Sequence, residues 1–159
     1  MMAVHELGHV LHAAATGGRV THVELHPLAI SRTDVLPNPK PLAVAWGGTL
    51  WRATIPLLVW GIASSVKLRG RRWLKAFAGF CLIANGLYLL SAIAIPVGDT
   101  QDLQALGVAV WAMALVGSPM LITGVWLWHS LGRCFGLANA TNAQARRRVG
   151  WSPVSYTHL

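Results

Sequence analysis

The residues of this 159-residue chain best suited to chemistry lie at its start, where His5-Glu6-Leu7-Gly8-His9 forms an H-E-x-x-H pattern. On a helix, positions four apart share one face, so the two imidazoles can reach a single metal ion. Zinc suits such a pair, because it lowers the pKa of a bound water to about 7 and makes hydroxide available at neutral pH. Glu6 sits beside both histidines and can take the proton from that water as a general base. It is one of only two glutamates in the chain. It also lies in an apolar helix, where an acid costs roughly 2.5–3.5 kcal/mol on membrane-insertion scales, a cost tolerated mostly for function. The bland alternative is that these polar residues merely face the interior of a helix bundle. His12 extends the stripe, but a straight helix sets it about 10.5 Å from His5 along the axis. A supporting or cavity-lining place suits it better than a ligand's.

A tetrahedral catalytic zinc needs a third protein ligand and one open position. The remaining acids are Glu24, Asp34, Asp99 and Asp102. The last two sit in Gly98-Asp99-Thr100-Gln101-Asp102-Leu103. There Asp99 reads as a helix N-cap and Asp102, three positions on, as an acid favoured by the helix dipole. Asp102 is the preferred third ligand and Asp99 the second choice. His22, Glu24 and His26 would share one face of a short strand, as a second metal site or simply as a solvated polar face. An exposed edge of that strand could pair with an extended peptide.

These groups must be positioned by membrane helices. Of the residues, 54% are hydrophobic and 11% charged, and the mean hydropathy is +0.50. A soluble domain carries about 25% charged residues. Apolar runs at about 42–65, 73–96 and 108–128 are each long enough to cross a hydrocarbon core of about 30 Å. A shorter one, 1–16, carries the motif and stops at Gly17-Gly18. Between the first two runs, 19–41 is too polar to span. Its period-two stretch Val20–His26 predicts a strand, and Pro37, Pro39 and Pro41 close the segment. The fold class is therefore an all-α membrane protein of about four transmembrane helices, with a short β-strand or hairpin insertion after the first. Residues 1–132 form one membrane domain, and 133–159 form a basic tail.

The net charge of +8 does not signal a nucleic-acid-binding module, because the cations sit in patches between apolar runs. They gather at Lys67, Arg69, Arg71, Arg72 and Lys75, and again at Arg133 and Arg146–Arg148, whereas 97–107 has none. The positive-inside rule puts the first patch and the tail in the cytoplasm. Since the second and third apolar runs carry the chain across and back, 19–41 and 97–107 share the opposite side. Trp46, Trp73, Trp126 and Trp128 stand near segment ends, as in an interfacial belt. Cys81, inside an apolar run, and Cys134 do not suggest a disulfide framework.

The pattern resembles the site-2 protease family of intramembrane zinc metalloproteases, and among them the compact bacterial members without extra soluble domains. The resemblance rests on H-E-L-G-H-V-L-H-A-A-A-T-G-G at 5–18, the strand-bearing stretch after it, Gly47-Gly48, Asn85 and the Asp-bearing loop 98–103. It implies His5 and His9 as zinc ligands, Glu6 as general base, and an aspartate of the later motif (Asp102 or Asp99) as third ligand. It further implies an endopeptidase that hydrolyses peptide bonds of membrane-embedded protein substrates in a bacterial cell membrane. A non-catalytic membrane metal-binding or scaffold homologue is the alternative. Gly-Asp-Thr-Gln-Asp-Leu stands where the family has Leu-Asp-Gly, and Thr49 where proline often follows the glycine pair. Family members place the active site toward the cytoplasm, opposite to the charge reading. The motif helix, with about 16 residues where roughly 20 are needed to span, reads as cut at its start. The last nine residues, 151–159, read as translated adapter sequence. The expectation is a fragment at both ends.

Overall fold

A computed structural model describes residues 2–25 and 31–134. Its elements in chain order are α1 (Met2–Ala15), β1 (Val20–Glu24), β2 (Arg32–Val35), α2 (Pro41–Ser65), α3 (Arg71–Ser91), α4 (Asp99–Ala105) and α5 (Val110–Cys134). Three of them, α2, α3 and α5, are long and apolar enough to cross a membrane. α1 has 14 residues, about 21 Å of helix, and falls short of that length. The expected apolar runs thus appear as helices, with two larger changes of boundary. The last helix runs on to Cys134 rather than ending near 128. The third helix ends at Ser91 rather than at Pro96. Pro96 disfavours helix at the residue before it, and 92–98 turns the chain toward α4 instead. His26, the possible third member of the polar strand face, and the tail from 135 onward lie outside the described residues.

α2 opens with Pro41 at its first turn, where a missing N–H costs nothing. It runs to the cationic turn at 66–70, and α3 returns. α3 packs most extensively on α5, and α1 on α2. The α3–α5 crossing is made of small residues. A Cβ on Gly86 would stand 2.7 Å from the Gly117 carbonyl oxygen, and one on Gly124 would stand 2.8 Å from that of Gly79. Such backbone approach is how membrane helices gain contact where lipid removes the hydrophobic drive. The outer faces keep large apolar side chains exposed, among them Leu58, Ile62, Phe80, Leu87, Ile122 and Val125.

β1 and β2 form an antiparallel pair with Val23 opposite Thr33 and Glu24 opposite Arg32, and an irregularity between Val20 and His22. Arg32 lies 3.4 Å from Asp34 and 3.9 Å from Glu24. Exposed ion pairs of this kind contribute little. His22 faces Asp34 across the ladder, so it belongs to an exposed polar strand face.

One apolar cluster (Ala45, Leu89, Ala92, Leu103 and Met113) ties α2, α3, α4 and α5 together at the end where α1 and the hairpin sit. Among the described residues, that places 19–25 and 31–41 near 97–107, around one cavity.

Candidate metal centre

Helical spacing puts His5 and His9 on the same face of α1, and both are buried with Glu6 between them. That face lies on α2 at its most open point, Gly47-Gly48. A Cβ on Gly48 would come within 2.5 Å of His5 Cε1 and of His9 Nε2, and a Cβ on Gly8 within 2.4 Å of the Gly47 carbonyl oxygen. The glycines therefore make the space in which the two imidazoles sit. The rings meet edge to face, with centroids 4.7 Å apart.

The tautomer of His9 follows from its partner. His9 Nδ1 lies 2.7 Å from the Val44 carbonyl oxygen, which can only accept, so Nδ1 carries a proton and Nε2 is the nitrogen that would be left to bind a metal. His12 Nδ1 donates in the same way to the Ala43 carbonyl oxygen at 2.7 Å. His12 thus fastens α1 to α2 and is not among the residues that line the cavity, in keeping with a supporting place.

The third member of the group is Asp99. One of its carboxylate oxygens is 2.9 Å from His5 Nε2 and the other 3.4 Å from His9 Nε2, while the two Nε2 atoms are 3.2 Å apart. With zinc–ligand bonds of about 2.0–2.2 Å, the edges of a tetrahedral site measure about 3.3–3.5 Å. Two imidazoles and a carboxylate are a donor set that suits a zinc ion; one of the three separations falls in that range, and the other two, 2.9 and 3.2 Å, would have to open by a few tenths of an ångström to hold one. Among the described residues these three are the group of histidine, cysteine and acid side chains close enough to share an ion. The geometry groups the second-choice acid, Asp99, with the histidines and leaves the preferred Asp102 outside the group. Gly98, not Asp99, is the N-cap of α4, so Asp99 is the first helical residue and faces the histidines. Asp102 is exposed and lines the same cavity from its rim.

The protonation of both acids has a physical cause. Burial alone would push the Asp99 carboxyl up, but hydrogen bonds and charge from His5 and His9 outweigh it and hold the group well below the usual carboxylate range. Asp102, partly desolvated and repelled by Asp99, is moved upward.

α4 is held by a set of local bonds. The Tyr88 hydroxyl and the Thr100 hydroxyl both donate to the Val97 carbonyl oxygen, each at 2.9 Å. Gln104 Nε2 donates to the Ala92 carbonyl oxygen at 3.0 Å, and Leu103 is fully buried. Gly98 takes a positive φ of 54°, which turns the chain into the helix.

Glu6 reaches the same cavity. Its Oε2 accepts a hydrogen bond of 2.7 Å from the Thr33 hydroxyl on β2, while its Oε1 is buried with no hydrogen-bond partner among the described residues. Sequence reasoning missed Thr33, because four polar-rich strand residues carry no periodicity of their own. Arg52 of α2 is buried, its Nε donates to Asn85 Oδ1, and its guanidinium carbon lies 5.4 Å from the Tyr88 ring centre. Asn85 Nδ2 in turn reaches the Thr49 carbonyl oxygen at 3.4 Å. The cavity that these residues share has a volume of about 870 Å³ and is bounded by α1, β2, α2, α3 and α4.

No family model, no curated protein and no solved structure matches the chain.

Proposed function

We propose that the protein is a zinc-dependent intramembrane endopeptidase of the site-2 protease type, acting in a bacterial cell membrane on transmembrane protein substrates. The observation that carries this reading is the meeting of His5, His9 and Asp99 on one point, with the carboxylate of Glu6 in the same cavity. Zinc at that point would supply Lewis acidity, activating water and polarising a peptide carbonyl.

The chain's own groups account for the rest. His9 presents its Nε2 lone pair because Val44 holds its Nδ1 proton, the kind of outer contact that orients a metal-ligating imidazole. Thr33 fixes one Glu6 oxygen and leaves Oε1 to accept a proton from the attacking water and pass it to the departing amine. Burial of Glu6 at 2% exposure excludes bulk water from that transfer. β2 supplies a wall of the cavity through residues 32–35. Among the described residues the sheet has two strands, so an edge remains to hold a substrate in extended form. A transmembrane helix must be unwound before its peptide bonds can be attacked.

The test is cleavage of a single-span reporter protein in detergent by wild type and by Glu6→Gln. Wild type is expected to cut, and Glu6→Gln to retain zinc and lose cutting. Equal cutting by the variant rejects Glu6 as the base. Zinc uptake with no cutting by wild type favours a metal-binding scaffold.

A further inference from the structure

Arg52 has no place in the hydrolytic steps above. It lies four residues beyond Gly48 on α2, on the same helix face and about 6 Å further along the axis from the glycine that cradles the two imidazoles. Its side chain lines the cavity of the metal centre and is 7% exposed. Of its donors, Nε is taken by Asn85. Among the described residues no acid lies within ion-pair distance of the guanidinium, and no hydrogen bond is formed by either of its terminal amino groups. Those amino groups do not count among the fully enclosed unpartnered atoms, so what contact they have is with the cavity space. Tyr88 and Asn85, both on α3, hold the group through the ring contact and the Nε hydrogen bond.

A planar cationic donor that lines the cavity beside Tyr88, and forms no ion pair with the acids that share the lining, matches one ligand chemistry best, that of a carboxylate, which pairs with guanidinium in a forked two-bond geometry. We infer that Arg52 is the carboxylate-binding subsite of the substrate cavity, so that the protein selects peptides presenting either an acidic side chain or a free C-terminal carboxylate one helical turn deeper than the scissile bond. This inference rests on the peptidase reading for the word substrate, but the subsite itself stands on the cavity and the buried cation. Asn85 is its positioning residue, holding Nε through its side-chain oxygen.

The experiment measures equilibrium binding of short N-acetylated apolar peptides to the zinc-loaded full chain in detergent, by calorimetry. One pair of peptides differs only in a free or amidated C-terminus. A second pair, both amidated, differs only in an internal Glu or Gln. A charge-assisted pair in a dry site is expected to favour the carboxylate member of at least one pair by about ten- to a hundredfold in wild type. The pair that shows the preference identifies the source of the carboxylate.

Arg52→Gln is expected to bring the ratio close to one, and Arg52→Lys to keep part of it, since lysine retains the charge and loses the fork. Asn85→Asp puts a carboxylate of the chain's own against the guanidinium. It is expected to abolish the preference with the charge still paired, which covers the case in which Arg52→Gln fails to fold. His5→Ala separates this site from the metal, because a peptide carboxylate bound to zinc would lose its preference there and one bound to Arg52 would not. Equal affinity within both pairs in wild type overturns the inference, as does a preference that survives Arg52→Gln and Asn85→Asp. A preference that persists in protein lacking zinc or cleavage supports the subsite while the peptidase reading fails.

Discussion

Replacing Gly8 by alanine tests the packing that aims the imidazoles. The new Cβ would stand 2.4 Å from the Gly47 carbonyl oxygen and 2.8 Å from its carbon. Both are backbone atoms that cannot rotate away, and ordinary contact begins near 3.4 Å. α1 must therefore withdraw from α2 by about 1 Å, the difference between those separations. A withdrawal of that size stretches His9 Nδ1–Val44 O and His12 Nδ1–Ala43 O, each 2.7 Å, to about 3.7 Å, beyond hydrogen-bond range. Loss of the outer partner of a ligating imidazole typically costs 10–100-fold in metal affinity. Zinc affinity of Gly8→Ala, measured by competition with a chromophoric chelator in detergent, is expected to fall by about that factor.

Gly61→Ala is the control, because nothing lies within 4 Å of its Cβ position. Alanine gains up to about 1 kcal/mol over glycine in a helix, so thermal stability should rise slightly there while zinc affinity stays at the wild-type value. The same gain at Gly8 blurs its stability change but not its affinity. A Gly8→Ala protein that binds zinc within twofold of wild type would refute the claim that the Gly8–Gly47 contact sets the geometry.

Thr33→Val removes the hydroxyl held 2.7 Å from Glu6 Oε2. A hydrogen bond to a charged group contributes about 1.5–3 kcal/mol, so turnover of the reporter is expected to drop about tenfold or more, with zinc content unchanged; equal turnover would remove Thr33 from the account. A second expectation concerns acid. Asp99 is held below its ordinary range because the hydrogen bonds and charge of His5 and His9 outweigh its burial. A depressed carboxylate adds stability that is fully present above the unfolded value of about 3.9 and is lost as pH falls through the folded one. In metal-free protein this contribution to the melting temperature should be flat down to about pH 4 and disappear below it. Asp99→Asn should lack that acid limb, and an identical limb in the variant would contradict the assignment.

Much of the fold could be read directly from the chain. The runs now forming α2, α3 and α5 are predominantly apolar, and Gly17-Gly18 and Pro41 punctuate the end of α1 and the start of α2. The period-two stretch after α1 became β1. Its mate β2 was not legible, because Arg32-Thr33-Asp34-Val35 gains strand structure only by pairing.

At the site, His5, Glu6 and His9 came from one local motif, and helical periodicity alone sets their common face. The choice between Asp99 and Asp102 could not be made locally. Three residues apart, both acids lie on similar faces of a short helix, and the decision rests on where Gly98, Tyr88 and Thr100 start that helix. Arg52 is a similar case. A lone cation in an apolar run reads as a snorkelling side chain until Asn85 and Tyr88, both on α3, are seen to flank it.

The central claim is that His5, His9 and Asp99 hold one metal ion. Its most direct test is the zinc content of detergent-purified protein for wild type, His5→Ala, Asp99→Ala and Asp102→Ala. The expected result is close to one zinc per chain in wild type and in Asp102→Ala, and none in His5→Ala or Asp99→Ala. A folded wild type without zinc, or zinc kept by Asp99→Ala and lost from Asp102→Ala, would contradict it.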